Sequence, residues 1–195
     1  MDSPLFDMKR VVITGLGLVT ALGNDVTTCW ANLIAGKSGA GAITHFDSSK
    51  FKTQFACEVK DLDVSNLFDP KELRRYDRYI HLAVKSAEEA INNAGLHIAQ
   101  ENPLRCGVIY GSGMGGVKTL DTNIGEFGAG DGTPRYSPFF IPMIITNMAA
   151  GMLAIRYGFT GVNYATTSAC SSSSHAIANA CYQIRMGLAD VVLTG

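Results

Sequence analysis

Residues 161–175 read Gly161-Val162-Asn163-Tyr164-Ala165-Thr166-Thr167-Ser168-Ala169-Cys170-Ser171-Ser172-Ser173-Ser174-His175. The first five favour a strand. Further on, Ala176, Ile177, Ala180, Ile184 and Leu188 recur at helical spacing. Cys170 therefore falls where a strand gives way to a helix. A thiol there meets unpaired backbone N–H groups and the positive end of the helix macrodipole. Both favour the thiolate, which is the nucleophilic form. The competing role is that of a small buried hydrophobe, the usual one for a free cysteine.

The segments on either side of this stretch extend the alternation of strand and helix. Lys9 to Gly15 reads as a buried first strand. Asn24 or Asp25 caps a helix through Trp30, Leu33 and Ile34 that ends near Gly36, and residues 36–41 are loop. Thr53 to Val59 suits a short strand. Asp69-Pro70 opens a long helix, with Pro in its first turn, Leu73, Tyr76, Ile80, Ala83, Ala87 and Ala90 as its apolar stripe, and Gly95 at its end. Arg105 to Tyr110 is a clear strand running into Gly111-Ser112-Gly113-Met114-Gly115-Gly116; a helix to about Phe127 follows, then a Gly/Pro-rich loop over 128–138. Ile144 to Tyr157 reads as an apolar helix and Asp190 to Thr194 as a last strand. The order implies an α/β architecture. Val191 to Gly195 has the look of a core strand with nothing after it to cover it. A central strand needs cover on both faces, so the chain is expected to be the front part of a longer protein, a domain spanning 1–195 that is incomplete at its C-terminal end.

Composition narrows the function classes. The 195 residues suffice for one domain, with 47% hydrophobic and 17% charged residues and a net charge of −1. That excludes a disordered chain and gives no global attraction to nucleic acid or anionic membrane. The longest apolar stretch, Phe139 to Ile155, is interrupted by Pro142, Thr146 and Asn147 and suits a buried helix better than a membrane span. Cysteines 29, 57, 106, 170 and 181 form no Cys-x-x-Cys pair and no zinc spacing with histidine. Cys170 and Cys181 would lie about 16 Å apart along one helix, too far for a disulfide. An odd count and no secretory signal point to a reducing compartment, the cytoplasm.

Other motifs are weaker. Gly111-x-Gly113-x-x-Gly116 follows a strand, but lacks the second βα unit and acidic residue of a dinucleotide site. Gly116-Val117-Lys118-Thr119 separates the Gly from the Lys-Thr that a phosphate loop needs adjacent. These glycines are expected to allow close backbone approach. His175 lies five residues after Cys170, about 140° around a helix, so it is a poor base for the thiol and is expected to be a hydrogen-bonded core histidine. The four serines suit tight packing at the helix start. Lys71 with Arg75, and Arg74 with Arg78, are four apart, so each pair shares one side of a helix. Such a patch suits a phosphate or an acidic partner.

Arg10-Val11-Val12-Ile13-Thr14-Gly15-Leu16-Gly17, Trp30-x-x-Leu33, Gly111 to Gly116, Ser137-Pro138-Phe139-Phe140-Ile141-Pro142 and Ser168-Ala169-Cys170 occur in an order that closely resembles the β-ketoacyl-[acyl-carrier-protein] synthase II family, elongating condensing enzymes of fatty-acid synthesis. The resemblance covers essentially the whole chain. It implies a thiolase-like α/β fold, here its N-terminal half only, with a mixed sheet and helices on both faces. It implies a homodimer working with acyl carrier protein, without metal, organic cofactor, nucleic acid or membrane. The family nucleophile falls on Cys170; its two histidines and lysine have no counterpart, since His45, His81, His97 and His175 lie in other contexts. Met114 and Phe140 would border the acyl pocket, with the 144–157 helix in its wall and in the dimer contact. Lys71, Arg74, Arg75 and Arg135 would dock the carrier. The implied reaction is decarboxylative Claisen condensation. Synthase I, a polyketide ketosynthase and a non-catalytic chain-length partner are the alternatives, and Cys170 argues against the last. A cysteine hydrolase would need a Gly-x-Cys-x-Gly elbow with a His/Asp pair, which is absent.

Overall fold

The computed structural model describes residues 9–195. They divide into two compact units. One comprises Phe68–Val84 and His97–Gly195 with the described residues up to Ile13; the other comprises Thr14–Leu67 and Lys85–Leu96.

The larger unit is built on three parallel strands, β3 (Cys106–Gly111), β4 (Asn163–Thr166) and β5 (Val191–Thr194), in the order β4-β3-β5. Val108 pairs with Asn163 on one side and Leu193 on the other. Neighbouring residues of a strand face opposite ways, and Val108 and Ile109 are both 0% exposed. The central strand is therefore covered on both faces, as a parallel sheet requires. Helix α7 (Ser172–Arg185) covers the Ile109 side with Ala176 and Ala180. Helix α6 (Met148–Tyr157) packs on β3 and β4 and buries Ala149, Ala150, Leu153 and Tyr157. At the outer ends of β3 and β5, Arg105 forks onto both carboxylate oxygens of Asp190 at 2.7 and 2.8 Å and Lys9 adds a third contact at 3.1 Å. These cations hold the Asp190 carboxyl below the usual carboxylate range.

Three expected elements differ. The helix foreseen from Asp69 to Gly95 is two: α2 (Pro70–Leu73) and α3 (Arg78–Ala94). Asp77 causes the break, since its carboxylate accepts the Tyr79 N–H at 3.2 Å and its carbonyl the Ile80 N–H, the habits of an N-cap. The 144–157 helix starts at Met148, because Ile145 is extended and ends a separate short helix, α5 (Phe140–Ile144). Lys9 to Gly15 forms no strand, and Val12 and Ile13 are 59% and 79% exposed rather than buried. Helix α4 (Val117–Ala129) fills its expected place.

The smaller unit holds α1 (Val26–Ile34) and an antiparallel pair, β1 (Gly41–Ala42) with β2 (Phe55–Ala56). Asp25 caps α1 by accepting the Thr28 N–H at 2.7 Å. Glu89 accepts the Leu18 and Val26 N–H groups at 2.9 and 2.8 Å. Gly17 is required here, because a Cβ would stand 1.8 Å from the Ser86 carbonyl oxygen. Its role is close backbone approach, not phosphate binding.

Candidate functional site

The ends of β3 and β4 converge on the cysteine turn in the larger unit. Ser112 N–H donates to the Thr166 carbonyl at 3.0 Å, and the Thr167 hydroxyl to the Ser112 carbonyl at 3.1 Å. Beyond the strand, Ala169–Ser171 forms one 3₁₀ turn that runs directly into α7. Cys170 is exposed, free and placed in this opening turn. The Ser171 and Ser172 N–H groups are bonded to the Ser168 and Ala169 carbonyls, so an oxyanion over the thiol would draw on the Cys170 N–H and the positive helix end. The carboxyl ends of parallel strands are where open α/β sheets place ligands.

The turn carries strain and a brace. Ala169 has φ +50, a left-handed conformation that a Cβ disfavours. Ser172, 4% exposed, spans it: its hydroxyl donates to the Ala169 carbonyl at 2.7 Å and accepts the Ser168 N–H at 2.9 Å. The Ser172 carbonyl accepts the Thr166 hydroxyl at 2.7 Å. Gly111 makes room, because a Cβ there would lie 2.4 Å from the Ser173 nitrogen and 2.5 Å from the Ser172 carbonyl carbon. His175 is not the expected core histidine. It is exposed, and its Nδ1 shares a 2.6 Å hydrogen bond with the Ser168 hydroxyl. Cys170 lies in the 3₁₀ turn before α7, so the helical period counted from it to His175 does not hold between them.

A second feature of the same unit is a groove of about 500 Å³ where the starts of α3 and α4 and the helix α5 meet. Its lining includes Arg74, Asp77, Arg78, His81, Lys118 and Phe140. Asp77, 6% exposed, accepts both the N–H and the hydroxyl of Thr119, at 2.9 and 2.6 Å. Burial pulls His81 below its usual pKa, against the opposing pull of Asp77, and its buried Nε2 has no hydrogen-bond partner. Tyr79 is pushed up to about 12, first by burial and then by the Asp77 charge.

The expected site residues fall apart into groups. Phe140 lines the groove; Met114, 73% exposed, does not, and neither does Cys170. Arg74 reaches the groove, while Arg75 lies over the Phe139 ring at 4.8 Å. Lys71 is exposed on α2. Arg135 is exposed and paired with Asp131 at 3.0 Å. Sequence reasoning missed Asp77, Ser168 and Ser172. A second Asp eight residues after the Asp69 cap was the available signal for the first; the serines around the cysteine offered none for the others.

A parallel sheet thus brings an exposed cysteine to the start of a helix. The chain belongs to the β-ketoacyl synthase family, matching its N-terminal domain over residues 8–195. It is 42% identical over 189 residues to the 3-oxoacyl-[acyl-carrier-protein] synthase 2 of Coxiella burnetii, covering 97% of this chain and 45% of that protein. The synthase 2 of Staphylococcus aureus strain COL is 39% identical over 187 residues, covering 96% and 45%. The chain thus spans less than half the length of these relatives. Among solved structures, the ishigamide ketosynthase/chain length factor superposes with a TM-score of 0.87 at 27% identity, over 96% of this chain and 47% of that one. A β-ketoacyl synthase from Burkholderia phymatum STM815 gives 0.79 at 30% identity, over 96% and 46%. The fold is accordingly the thiolase-like α/β fold expected. Among the described residues no helix is long and apolar enough to cross a membrane.

Proposed function

We propose that this chain supplies the acyl-accepting half of a 3-oxoacyl-[acyl-carrier-protein] synthase of fatty-acid synthesis, with Cys170 as the acceptor. The observation that carries this reading is the exposed Cys170 thiol on a braced, left-handed turn at the start of α7. The Cys170 thiolate attacks the thioester carbonyl of an acyl group borne by acyl carrier protein. The oxyanion that forms faces the Cys170 backbone N–H. Collapse breaks the original C–S bond, and the carrier's thiol leaves with a proton. In the second half-reaction malonyl carrier protein loses CO₂. Its carbanion attacks the Cys170 thioester, a C–C bond forms, and the thiolate is expelled. The resemblance gives that decarboxylation to two histidines and a lysine without counterparts in residues 1–195. Acyl transfer is therefore the step assigned here to this chain's own residues.

Lys71, Arg74, Arg75 and Arg135 are the proposed dock for the acidic carrier. Arg74 sits beside Arg78 and Lys118 around the groove, which concentrates positive charge there. Met114 and Phe140 are the proposed borders of the acyl pocket. The reaction uses no metal or organic cofactor, and the assembly proposed is a homodimer in the cytoplasm, where five free thiols suit a reducing milieu. Polyketide condensation shares the same acyl transfer, and the ishigamide neighbour resembles this chain closely in fold. The higher identity to synthase 2 relatives, 42% against 27%, favours the fatty-acid reading.

Intact-mass measurement after incubation with acyl carrier protein charged with a fatty acyl chain tests the assignment. The parent and Cys181→Ala should gain one acyl mass, and Cys170→Ala none. Uptake by Cys170→Ala at the parent level would remove Cys170 from the mechanism.

A further inference from the structure

We infer that Ser172 is a positioning residue for the Cys170 thiol, acting as a hydroxyl clamp that holds Ala169 left-handed. The inference rests on the reading of Cys170 as the acyl acceptor. Ala169, the residue immediately before the cysteine, has φ +50. A non-glycine residue persists there only where its surroundings impose that conformation. The Ser172 side chain imposes it from both sides, gripping the carbonyl of Ala169 and the N–H of Ser168, which flanks Ala169 on the other side. One hydroxyl thereby satisfies a donor before the strained residue and an acceptor at it. The clamp is fixed in turn: Ser172 is buried, its own carbonyl receives the Thr166 hydroxyl from the end of β4, and its backbone presses on Gly111 at the end of β3. The sheet thus sets where Ser172 sits, Ser172 sets the turn, and the turn sets the direction in which Cys170 leaves the backbone at the start of α7. The hydroxyl does not touch the reacting atoms. Its effect is on the geometry of the thiol, and a Thr, which keeps the hydroxyl, should replace it.

The test compares alkylation of Cys170 with that of Cys57 in the same molecules by iodoacetamide, read by peptide mass spectrometry. Cys57 is exposed, lies in the smaller unit and serves as an internal reference. Ser172→Ala should lower the Cys170/Cys57 ratio about tenfold, the equivalent of one net hydrogen bond. Ser172→Thr should stay within about threefold of the parent, since the donor and acceptor are retained. Ala169→Gly removes the Cβ penalty of the left-handed turn, so Ser172→Ala added to it should cost less than about threefold. An unchanged ratio in Ser172→Ala, or an undiminished penalty in the Ala169→Gly background, overturns the proposal. Modification of buried Cys29 and Cys106 as fast as Cys57 would mark unfolding. If Ser172→Ala alone unfolds, the pair Ala169→Gly and Ala169→Gly/Ser172→Ala is compared instead. A folded pair with matching ratios supports the clamp; a double variant that also unfolds makes Ser172 a core residue and overturns it. The acyl acceptor is checked separately with charged carrier protein. Acyl mass on a residue other than Cys170 refutes the functional reading and leaves the clamp measurement standing.

Discussion

Replacing Asp77 by Ala should be among the most damaging single changes in the larger unit. Asp77 does two jobs. Its carboxylate and carbonyl start α3 at Tyr79 and Ile80, and its other carboxylate oxygen takes two hydrogen bonds from Thr119 in α4. Loss of an N-cap removes about 0.5–2 kcal/mol. Each hydrogen bond to a charged group is worth about 1.5–3 kcal/mol when buried. Water from the adjoining groove replaces part of the Thr119 pair, so the total should be about 3–5 kcal/mol. Asp77→Asn keeps one acceptor oxygen and turns the other into a donor that the Thr119 N–H opposes, so it should lose about 1–2 kcal/mol. Urea denaturation followed by circular dichroism gives the totals, and amide hydrogen exchange localises them: Tyr79 and Thr119 should lose protection first. An Asp77→Ala variant within about 0.5 kcal/mol of the parent, the range of an ordinary surface change, would refute the coupling of α3 to α4 through this carboxylate.

Gly111→Ala should destabilise the larger unit by about 1–3 kcal/mol, because the added carbon meets the backbone of Ser172 and Ser173 rather than a yielding side chain; a urea midpoint unchanged from the parent would contradict this. His81 is held below its usual pKa by burial, so as pH falls through about 6.5 the unfolded chain gains a proton that the fold resists, and stability is lost on acidification. His81→Phe should flatten that loss between about pH 5 and 7, and an identical pH profile would count against it. Arg74→Glu/Arg75→Glu should slow acyl uptake from carrier protein while sparing uptake from a small acyl thioester, with the difference shrinking at high salt; equal loss on both substrates would point to a folding defect.

Much of the larger unit was legible because its signals are local. The β3, β4 and β5 segments are apolar and rich in β-formers, and α1 announces itself by Asp25. Lys9 to Gly15 carries the same apolar signal and forms no strand, since an apolar run becomes a strand only where a partner edge accepts it. At Leu16 and Leu18 the backbone N–H groups go to the side chains of Asn93 and Glu89 instead. The break between α2 and α3 was hidden because the apolar stripe keeps its period across it, while the deciding event is Asp77 turning its carboxylate to a helix some 40 residues away in sequence. At the site, strand, small residues, cysteine and helix could be read in order. The left-handed Ala169 and the double role of Ser172 could not, because four serines in a row look alike until the backbone distinguishes them. The helical period was counted from Cys170, which lies before α7 begins, and it gave no sign of the Ser168 partner of His175.

That Cys170 receives the acyl group is tested most directly by mapping the adduct. The protein is incubated with fatty-acyl carrier protein, quenched in acid to preserve the thioester, digested and sequenced by tandem mass spectrometry. The account predicts one acyl mass, on Cys170, lost on treatment with hydroxylamine as a thioester should be. An acyl mass on Cys181 or on any of Ser171 to Ser174, with Cys170 unmodified, would contradict it.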